Sequence, residues 1–256
     1  MAQQTLQRDG YTTAYVDQGK GRPIILLPGG SLNISYLAPL AESLTDGGLR
    51  VIRIGSRRPP ENPAALVLMQ DLAADVLAVM THLELPSAWV AGHAFGNRVA
   101  RTVALDAPDR TAGVILLAAG GTVQPSENAA RALRVAFSDV PESEAVASMQ
   151  YMVGDPDNGQ AAWDAVKKAR SPELGAMQRN AVIKTPQKEW ASLVPGKPAL
   201  IIQGSDDQIA PPANGEELAR SYPGQVTLVS IQGGGHLFPI FHRDEVTKAI
   251  VHHIAT

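Results

Sequence analysis

The sequence has 256 residues, 45% of them hydrophobic and 18% charged, which is enough apolar material to bury the core of one globular domain. The 22 Lys and Arg residues against 25 Asp and Glu residues give a formal net charge of -3, which argues against nucleic acid or an anionic membrane as partner. The absence of cysteine excludes disulfide frameworks, Cys-based zinc sites and thiol nucleophiles.

The first ten residues, MAQQTLQRDG, lack the charged and apolar regions of a secretory signal peptide. No apolar run approaches the roughly 20 residues that span a bilayer. We therefore expect a cytoplasmic protein that acts on a small-molecule substrate, as a monomer or a homodimer, with neither a membrane nor a nucleic-acid partner.

Short β-rich apolar runs alternate with longer helical stretches along the chain. The predicted strands are residues 12–16, 24–27, 51–54, 89–91, 114–117, 200–202 and 226–231. The predicted helices between and after them are residues 66–83, 97–107, 216–221 and 245–254. This alternation predicts an α/β fold, a mostly parallel sheet with helices on both faces.

One interval interrupts the alternation, because about 80 residues separate the strand near residue 119 from the next one near residue 199. A loop of that length without structure is unlikely in a compact domain. Good helix formers instead predict four helices, at residues 127–136, 142–151, 161–169 and 172–181. We expect residues 1–120 and 198–256 to form the core and residues 121–197 to form an inserted helical lid.

The strongest local motif is Gly92-His93-Ala94-Phe95-Gly96, which follows an apolar strand and leads into a helix. With serine at the centre it would be a G-x-S-x-G nucleophile elbow, in which the glycines Gly92 and Gly96 allow a strained turn that exposes the central side chain. Only the hydroxyl is missing. An ordinary strand-to-helix turn with glycines is the alternative interpretation of this segment.

Two segments further along favour the elbow. A buried-type strand leads into Gly204-Ser-Asp-Asp207-Gln-Ile-Ala-Pro211, and another leads into a glycine-rich turn that ends at His236. The chain order of elbow, acid and histidine, with these motifs, resembles the α/β-hydrolase superfamily over nearly the whole sequence from about Gly10.

This resemblance implies an α/β-hydrolase fold with a sheet of about eight mostly parallel strands. It makes Asp207 the triad acid, with Asp206 as the neighbouring alternative, and His236 the base, with Ala94 at the nucleophile position. A turn-forming aspartate and an ordinary loop histidine are the structural alternatives for these two residues.

The resemblance also implies an oxyanion hole built from backbone N–H groups. Phe95, after the nucleophile position, supplies one donor. Gly30 is the candidate for the other, in Leu26-Leu-Pro28-Gly-Gly30, where Pro28 replaces the histidine of the family pattern. An ordinary glycine turn after a strand is an equally open interpretation.

No cofactor or metal site is expected. Gly233-Gly-Gly235 lacks the spacing of a phosphate-binding loop, and His82, His93 and His242 show no metal-ligand spacing. Arg53, Arg57 and Arg58 are expected to be solvated loop charges rather than a site for an acidic substrate.

Ala94 cannot form an acyl-enzyme, because that chemistry needs a nucleophile activated by its neighbouring base. Three interpretations stay open: a hydrolase disarmed at this position, a member without the serine that uses Asp207 and His236 as a general-base dyad, and a ligand receptor that does no chemistry. For the first, apolar insert residues suggest a small, largely apolar ester, lactone or related carbonyl compound as substrate, although the same residues could simply hold the lid on the core: Met149, Tyr151, Met152 and Trp163.

Overall fold

A single sheet organises the residues that the computed structural model describes, which are 2–8, 10–58 and 66–256. Its strands are β1 Gln4–Arg8, β2 Tyr11–Gln18, β3 Pro23–Leu27, β4 Arg50–Ile54, β5 Ala88–His93, β6 Thr111–Leu117, β7 Ala199–Gly204 and β8 Val226–Ile231. They lie in the order β1-β2-β4-β3-β5-β6-β7-β8. Strands β1 and β2 are antiparallel to their neighbours, and the remaining pairs are parallel. This confirms the predicted eight-stranded, mostly parallel sheet.

Helices cover both faces of this sheet. Within the described ranges they are α1 Ala38–Asp46, α2 Met69–His82, α3 Phe95–Asp106, α4 Glu127–Ala136, α5 Glu142–Met149, α6 Gly159–Val166, α7 Pro172–Lys184, α8 Ala213–Ser221, α9 Phe238–Phe241 and α10 Arg243–Ala255. Helices α2 and α3 pack together on one face, while α1 and α10 pack together on the other. None of these helices is both long and apolar enough to cross a bilayer.

The central strands are apolar along their whole length because both of their faces are buried. In β3, Ile24 and Leu26 belong to the hydrophobic cluster on the α1 and α10 side, whereas Ile25 and Leu27 belong to the cluster on the α2 and α3 side. All four side chains are at most 3% exposed. Successive residues of a strand point to opposite faces, so a continuous apolar run is what a doubly covered strand requires.

Two elements escape the sequence pattern. The edge strand β1 has mainly exposed side chains, so it shows no apolar alternation, and only its backbone pairing with β2 defines it. Helix α1 was not predicted either, although its buried residue Leu44 follows the buried Leu40 and Ala41 by four and three positions. The helix predicted over residues 66–83 begins later, at Met69.

The predicted helical insert between β6 and β7 contains α4 to α7. It contacts the turn that follows β3: Ser171 N–H donates to Ser31 C=O at 2.8 Å, and Asn33 N–H donates to Ala169 C=O at 2.8 Å. A second contact joins it to the loop after β8, where Leu237 N–H donates to Met152 C=O at 2.8 Å. The insert is therefore attached to two loops at the carboxyl ends of the parallel strands.

The strand order places a reversal point beside β3. The chain passes from β3 to β4 on one side and then returns to β5 on the other side of β3. In open α/β sheets, ligands bind at the carboxyl ends of strands where the order reverses. The loops after β3 and β5 meet at that position, and they carry Gly30 and Ala94.

A buried ion pair joins α2 to the segment after β4, contrary to the expectation of a solvated charge at Arg57, whereas Arg58 is exposed as expected. The Arg57 guanidinium donates to both carboxylate oxygens of Asp75, at 2.6 and 2.8 Å, and their side chains are only 6% and 3% exposed. The guanidinium also lies 4.0 Å from the Tyr11 ring centroid. Arg53 is buried as well and donates to Ile34 C=O at 2.9 Å.

Removing one partner of this pair should destabilise the protein strongly, because the other charge would stay buried without compensation. We expect Arg57→Met to lower the free energy of unfolding by about 3–5 kcal/mol, measured by urea denaturation. Arg57→Met combined with Asp75→Leu should recover much of that loss. Lys167→Met, which breaks the exposed pair with Asp164, is the control. It should leave the urea midpoint of unfolding nearly unchanged.

Candidate active site

The backbone makes a sharp turn at Ala94, between β5 and α3. Ala94 has φ 49° and ψ -109°, a conformation that L-residues seldom adopt. Its N–H donates to Leu117 C=O at 2.9 Å, which continues the pairing of β5 with β6. Strain of this kind is characteristic of an elbow that exposes its central side chain between a strand and a helix.

The two elbow glycines are required by close backbone contacts. A Cβ on Gly92 would collide with the backbone of Gly96, and a Cβ on Gly96 would lie 2.5 Å from Leu27 O and 2.6 Å from Pro28 O. Backbone atoms cannot move aside as a flexible side chain could. Glycine at both positions therefore lets α3 begin directly against the end of β3.

The loops after β7 and β8 bring Asp207 and His236 together. His236 Nδ1 lies 2.9 Å from Asp207 Oδ2 and 3.2 Å from Oδ1, and the two residues are 7% and 3% exposed. Asp207 Oδ1 also accepts the N–H groups of Ile209 and Ala210, both at 2.8 Å. Asp206, the alternative acid, is exposed and accepts from the Ser205 hydroxyl.

Gly30 and Phe95, the two predicted oxyanion donors, are neighbours. A Cβ on Gly30 would lie 3.5 Å from Phe95 Cβ. Phe95 is the first residue of α3, where a backbone N–H has no partner within the helix. The turn with Gly30 is fixed by the insert, because Ser31 N–H donates at 2.9 Å to the buried Gln178 side chain of α7.

A chain of hydrogen bonds through His93 links the turn after β3 to the backbone of His236. Gly29 N–H donates to Tyr36 Oη at 2.7 Å, and Tyr36 Oη lies 2.7 Å from His93 Nδ1. His93 Nε2 lies 2.9 Å from His236 O. A carbonyl only accepts, so Nε2 carries the hydrogen, and Nδ1 accepts the Tyr36 hydroxyl hydrogen.

Burial keeps His93 neutral. The residue is 1% exposed, and its ring centroid is 4.9 Å from that of His236. Burial, followed by the nearby His236, lowers the pKa of His93 to about 3, although the hydrogen bond to His236 O and the charge of Asp207 oppose the shift. Burial also raises the pKa of Tyr36, so its hydroxyl remains a donor.

Sequence reasoning considered His93 only as a metal ligand and did not identify Tyr36 or Gln178. The position of His93 directly before the elbow centre was the one available signal for it. Three of the four apolar insert residues that suggested a substrate class are buried in a hydrophobic cluster that the insert shares with the core: Met149, Met152 and Trp163 are 0%, 1% and 6% exposed. Within the described ranges, no group of three His, Asp or Glu side chains could hold a metal ion.

The model of the family described as "Serine aminopeptidase, S33" matches residues 21–240. The rhodomycin D methylesterase DnrP of Streptomyces peucetius is 26% identical over 270 residues, which cover 90% of each chain.

Solved structures share the fold. A thermophilic esterase from Thermogutta terrifontis, solved with malate bound, is 24% identical with a TM-score of 0.79 and covers 100% of this chain and 98% of its own. A serine-to-alanine mutant of the meta-cleavage product hydrolase from Pseudomonas fluorescens IP01, complexed with acetates, is 21% identical with a TM-score of 0.77, covering 98% and 97%. These comparisons confirm the α/β-hydrolase fold.

Gly96→Ala should destabilise the protein because the added methyl group would press on the backbone of β3. We expect a loss of about 1–3 kcal/mol or more in the free energy of unfolding, measured by urea denaturation. Gly120→Ala is the matched control, since a Cβ there meets only Arg98 Nη2, at 3.8 Å. Equal stability of the two variants would contradict the role given to Gly96.

The low pKa of His93 should make stability depend on pH. An unfolded histidine titrates near 6.5, so below that pH the unfolded chain takes up a proton that folded His93 does not accept until about pH 3. The stabilisation from neutral His93 is complete above pH ~6.5 and decreases as the pH falls towards 3.

His93→Gln should therefore be less stable than the parent at neutral pH, and the difference in urea midpoint should narrow between about pH 6.5 and pH 4. His252→Gln, the same substitution at an exposed position of α10, is the control. A difference that stays constant over this range would show that His93 does not titrate as described.

Proposed function

The chain belongs to the hydrolase family described as serine aminopeptidase, S33, and we propose that its site is built for serine-type hydrolysis of a small, largely apolar ester, lactone or related carbonyl compound. This chain lacks the nucleophile, because Ala94 stands at the elbow centre. The observation that carries the proposal is the Asp207–His236 pair next to a strained elbow.

The strain at Ala94 favours a nucleophile at that position over a mere turn. A residue held in a sparsely populated backbone conformation costs about 1–3 kcal/mol, and such residues concentrate at functional sites. An alanine methyl group gains nothing from this exposure. A serine hydroxyl at the same position would be presented beside His236, whose backbone is held by His93 of the elbow itself.

With serine present, each residue has a defined part. His236, oriented by Asp207 at Nδ1, takes the hydroxyl proton as the oxygen forms its bond to the substrate carbonyl carbon, and then gives that proton to the leaving alcohol. Water hydrolyses the resulting acyl-enzyme by the same proton transfers in the second half-reaction. The Gly30 and Phe95 N–H groups stabilise the negative oxygen of the tetrahedral intermediates.

The surroundings of the dyad support an uncharged, apolar substrate. Leu237 and Phe238, directly after His236, are 3% and 1% exposed, and Val153 of the insert packs against Gly235. His93, the buried neighbour of His236, is neutral. We further propose that the insert, residues 121–197, acts as a lid on the core formed by residues 1–120 and 198–256, since it contacts the loops that carry Gly30 and His236.

A second candidate function rests on the same pair. Asp207 and His236 form a complete dyad without any serine, so His236 could abstract a proton from a substrate or from water as a general base. The observation in its favour is that the dyad is assembled although Ala94 has no hydroxyl. A receptor for an unreacted ligand would need neither the dyad nor the strained turn.

Ala94→Ser should restore hydrolysis of simple esters or lactones. We expect a gain of about a thousandfold or more in kcat/KM, because nucleophile and base act as one unit. The serine should also react with a fluorophosphonate probe. Activity is measured on an ester panel, and labelling is measured by mass spectrometry of the intact chain.

Two variants separate the candidate functions. Adding His236→Ala to Ala94→Ser should abolish the gain, and Ala107→Ser, the same substitution at the far end of α3, should produce none. If Ala94→Ser remains unlabelled and inactive although folded, the hydrolase proposal is wrong. Loss of a native activity on His236→Ala alone would instead support base catalysis.

A further inference from the structure

A cavity lies between α3 and α8, away from the dyad. Its volume is about 240 Å³, and none of Ala94, Asp207 and His236 lines it. Its walls come from α3, α8, the segment after β6 and the segment before β7, with the following residues central to the argument: Arg98, Arg101, Trp190, Glu217, Leu218 and Tyr222. We call this space the arginine cavity.

Arg101 is buried in the wall of the arginine cavity without full compensation. The residue is 3% exposed, and its guanidinium donates to Ala191 C=O at 2.7 Å and to Asn97 Oδ1 at 3.0 Å. Its Nε–H has no partner among the described residues. Both partners are neutral acceptors, so the positive charge of Arg101 is solvated only by dipoles.

Arg98, one helical turn earlier, adds a second charge. Its guanidinium carbon lies 5.1 Å from the Trp190 ring centroid, and that of Arg101 lies 5.9 Å from the same ring. Burial lowers the pKa of Arg98, and burial together with Arg98 lowers the pKa of Arg101 to about 10. Both guanidinium groups remain charged at neutral pH, because arginine does not lose its proton in proteins.

No described carboxylate compensates these charges. Glu217 lines the cavity, but it is exposed, and its Oε2 accepts the Thr122 hydroxyl at 2.6 Å. The contrast with Arg57 is informative, since that buried guanidinium makes two hydrogen bonds to Asp75. Arg101 is buried and Arg98 is half-buried. Buried charges are usually paired, so two guanidinium groups that line one cavity without a described carboxylate partner indicate an anionic ligand.

The shape and lining of the cavity narrow the chemistry of that anion. A planar guanidinium matches a carboxylate through two parallel hydrogen bonds. Trp190, Tyr222 and Leu218 provide an apolar wall beside the charges. A cavity of about 150 Å³ already accommodates benzene, so this one has room for one aromatic ring with a carboxylate group.

We propose that the arginine cavity is a binding site for a small aromatic carboxylate, held by Arg98 and Arg101 with its ring against Trp190. The site is independent of the hydrolytic reaction, and it shares no lining residue with the dyad or the oxyanion donors. It connects to the elbow through α3, which begins at Phe95 and carries both arginines.

Benzoate is a suitable probe. Titration of the Ala94 chain with sodium benzoate, followed by isothermal calorimetry and by tryptophan fluorescence, should show saturable one-to-one binding that weakens as ionic strength rises. Benzamide, a neutral molecule of similar shape, should bind about tenfold more weakly or worse, because it cannot form charge-assisted bonds to the guanidinium groups.

Substitutions locate the bound probe. Arg98→Gln should weaken benzoate binding about tenfold or more. Arg98→Lys keeps the charge but not the planar guanidinium, so its affinity for benzoate should lie between those of the parent and Arg98→Gln. Arg98 makes no side-chain hydrogen bond to a described residue, so these variants should fold, which their urea midpoints will verify. Arg131→Gln, the same change at an exposed position of α4, should leave the affinity unchanged.

Trp190→Phe should remove the fluorescence response while calorimetric binding persists. Two outcomes would overturn the proposal. One is the absence of saturable binding at millimolar benzoate. The other is benzoate binding whose affinity is unchanged in Arg98→Gln and whose fluorescence response is unchanged in Trp190→Phe. That result would place benzoate elsewhere in the protein.

Discussion

The close approach of three backbone segments around Gly92 and Gly96 is the constraint on which the rest of the site depends. Without side chains at these positions, the start of α3 lies directly against the ends of β3 and β5. This contact forces the unusual backbone conformation of Ala94 and places Phe95 beside Gly30. One packing requirement thus fixes both the nucleophile position and the pair of backbone donors proposed to stabilise an oxyanion.

Hydrogen bonds extend that constraint to the histidine loop. His93, inside the elbow, binds Tyr36 on one side and the backbone of His236 on the other, while Asp207 binds the His236 side chain. His236 is consequently held at two points by segments far apart in the chain. Groups fixed in this way need little reorganisation when charge develops, which is the physical basis of preorganised catalysis.

Buried charge is distributed unevenly over the same framework. The pair of Arg57 with Asp75 stabilises the attachment of α2 and is complete in itself, whereas Arg98 and Arg101 line a cavity in which no described carboxylate pairs with them. The two cases differ in the partners of the guanidinium group. A guanidinium that contacts only carbonyl groups and an indole ring keeps its positive charge uncompensated. The elbow centre Ala94 directly precedes α3, and the helix carries two positive charges within its first two turns.

The sequence alone predicted a mostly parallel sheet and a helical insert from short local patterns. Its motifs, through the family resemblance that they carry, made Ala94, Asp207 and His236 candidate site residues. Apolar runs, glycine spacing and turn residues depend on neighbouring positions, so they can be read along the chain. The edge strand β1 could not be recognised in this way, since its pairing involves the backbone and its side chains are exposed. Only the tertiary structure revealed the contact of Tyr36 with His93, the pairing of Arg57 with Asp75 and the position of Arg98 and Arg101 in a cavity wall without a carboxylate partner among the described residues. The residues in these groups are brought together, or kept apart from carboxylates, by the packing of distant segments, and burial then decides which of them are neutral, paired or left charged.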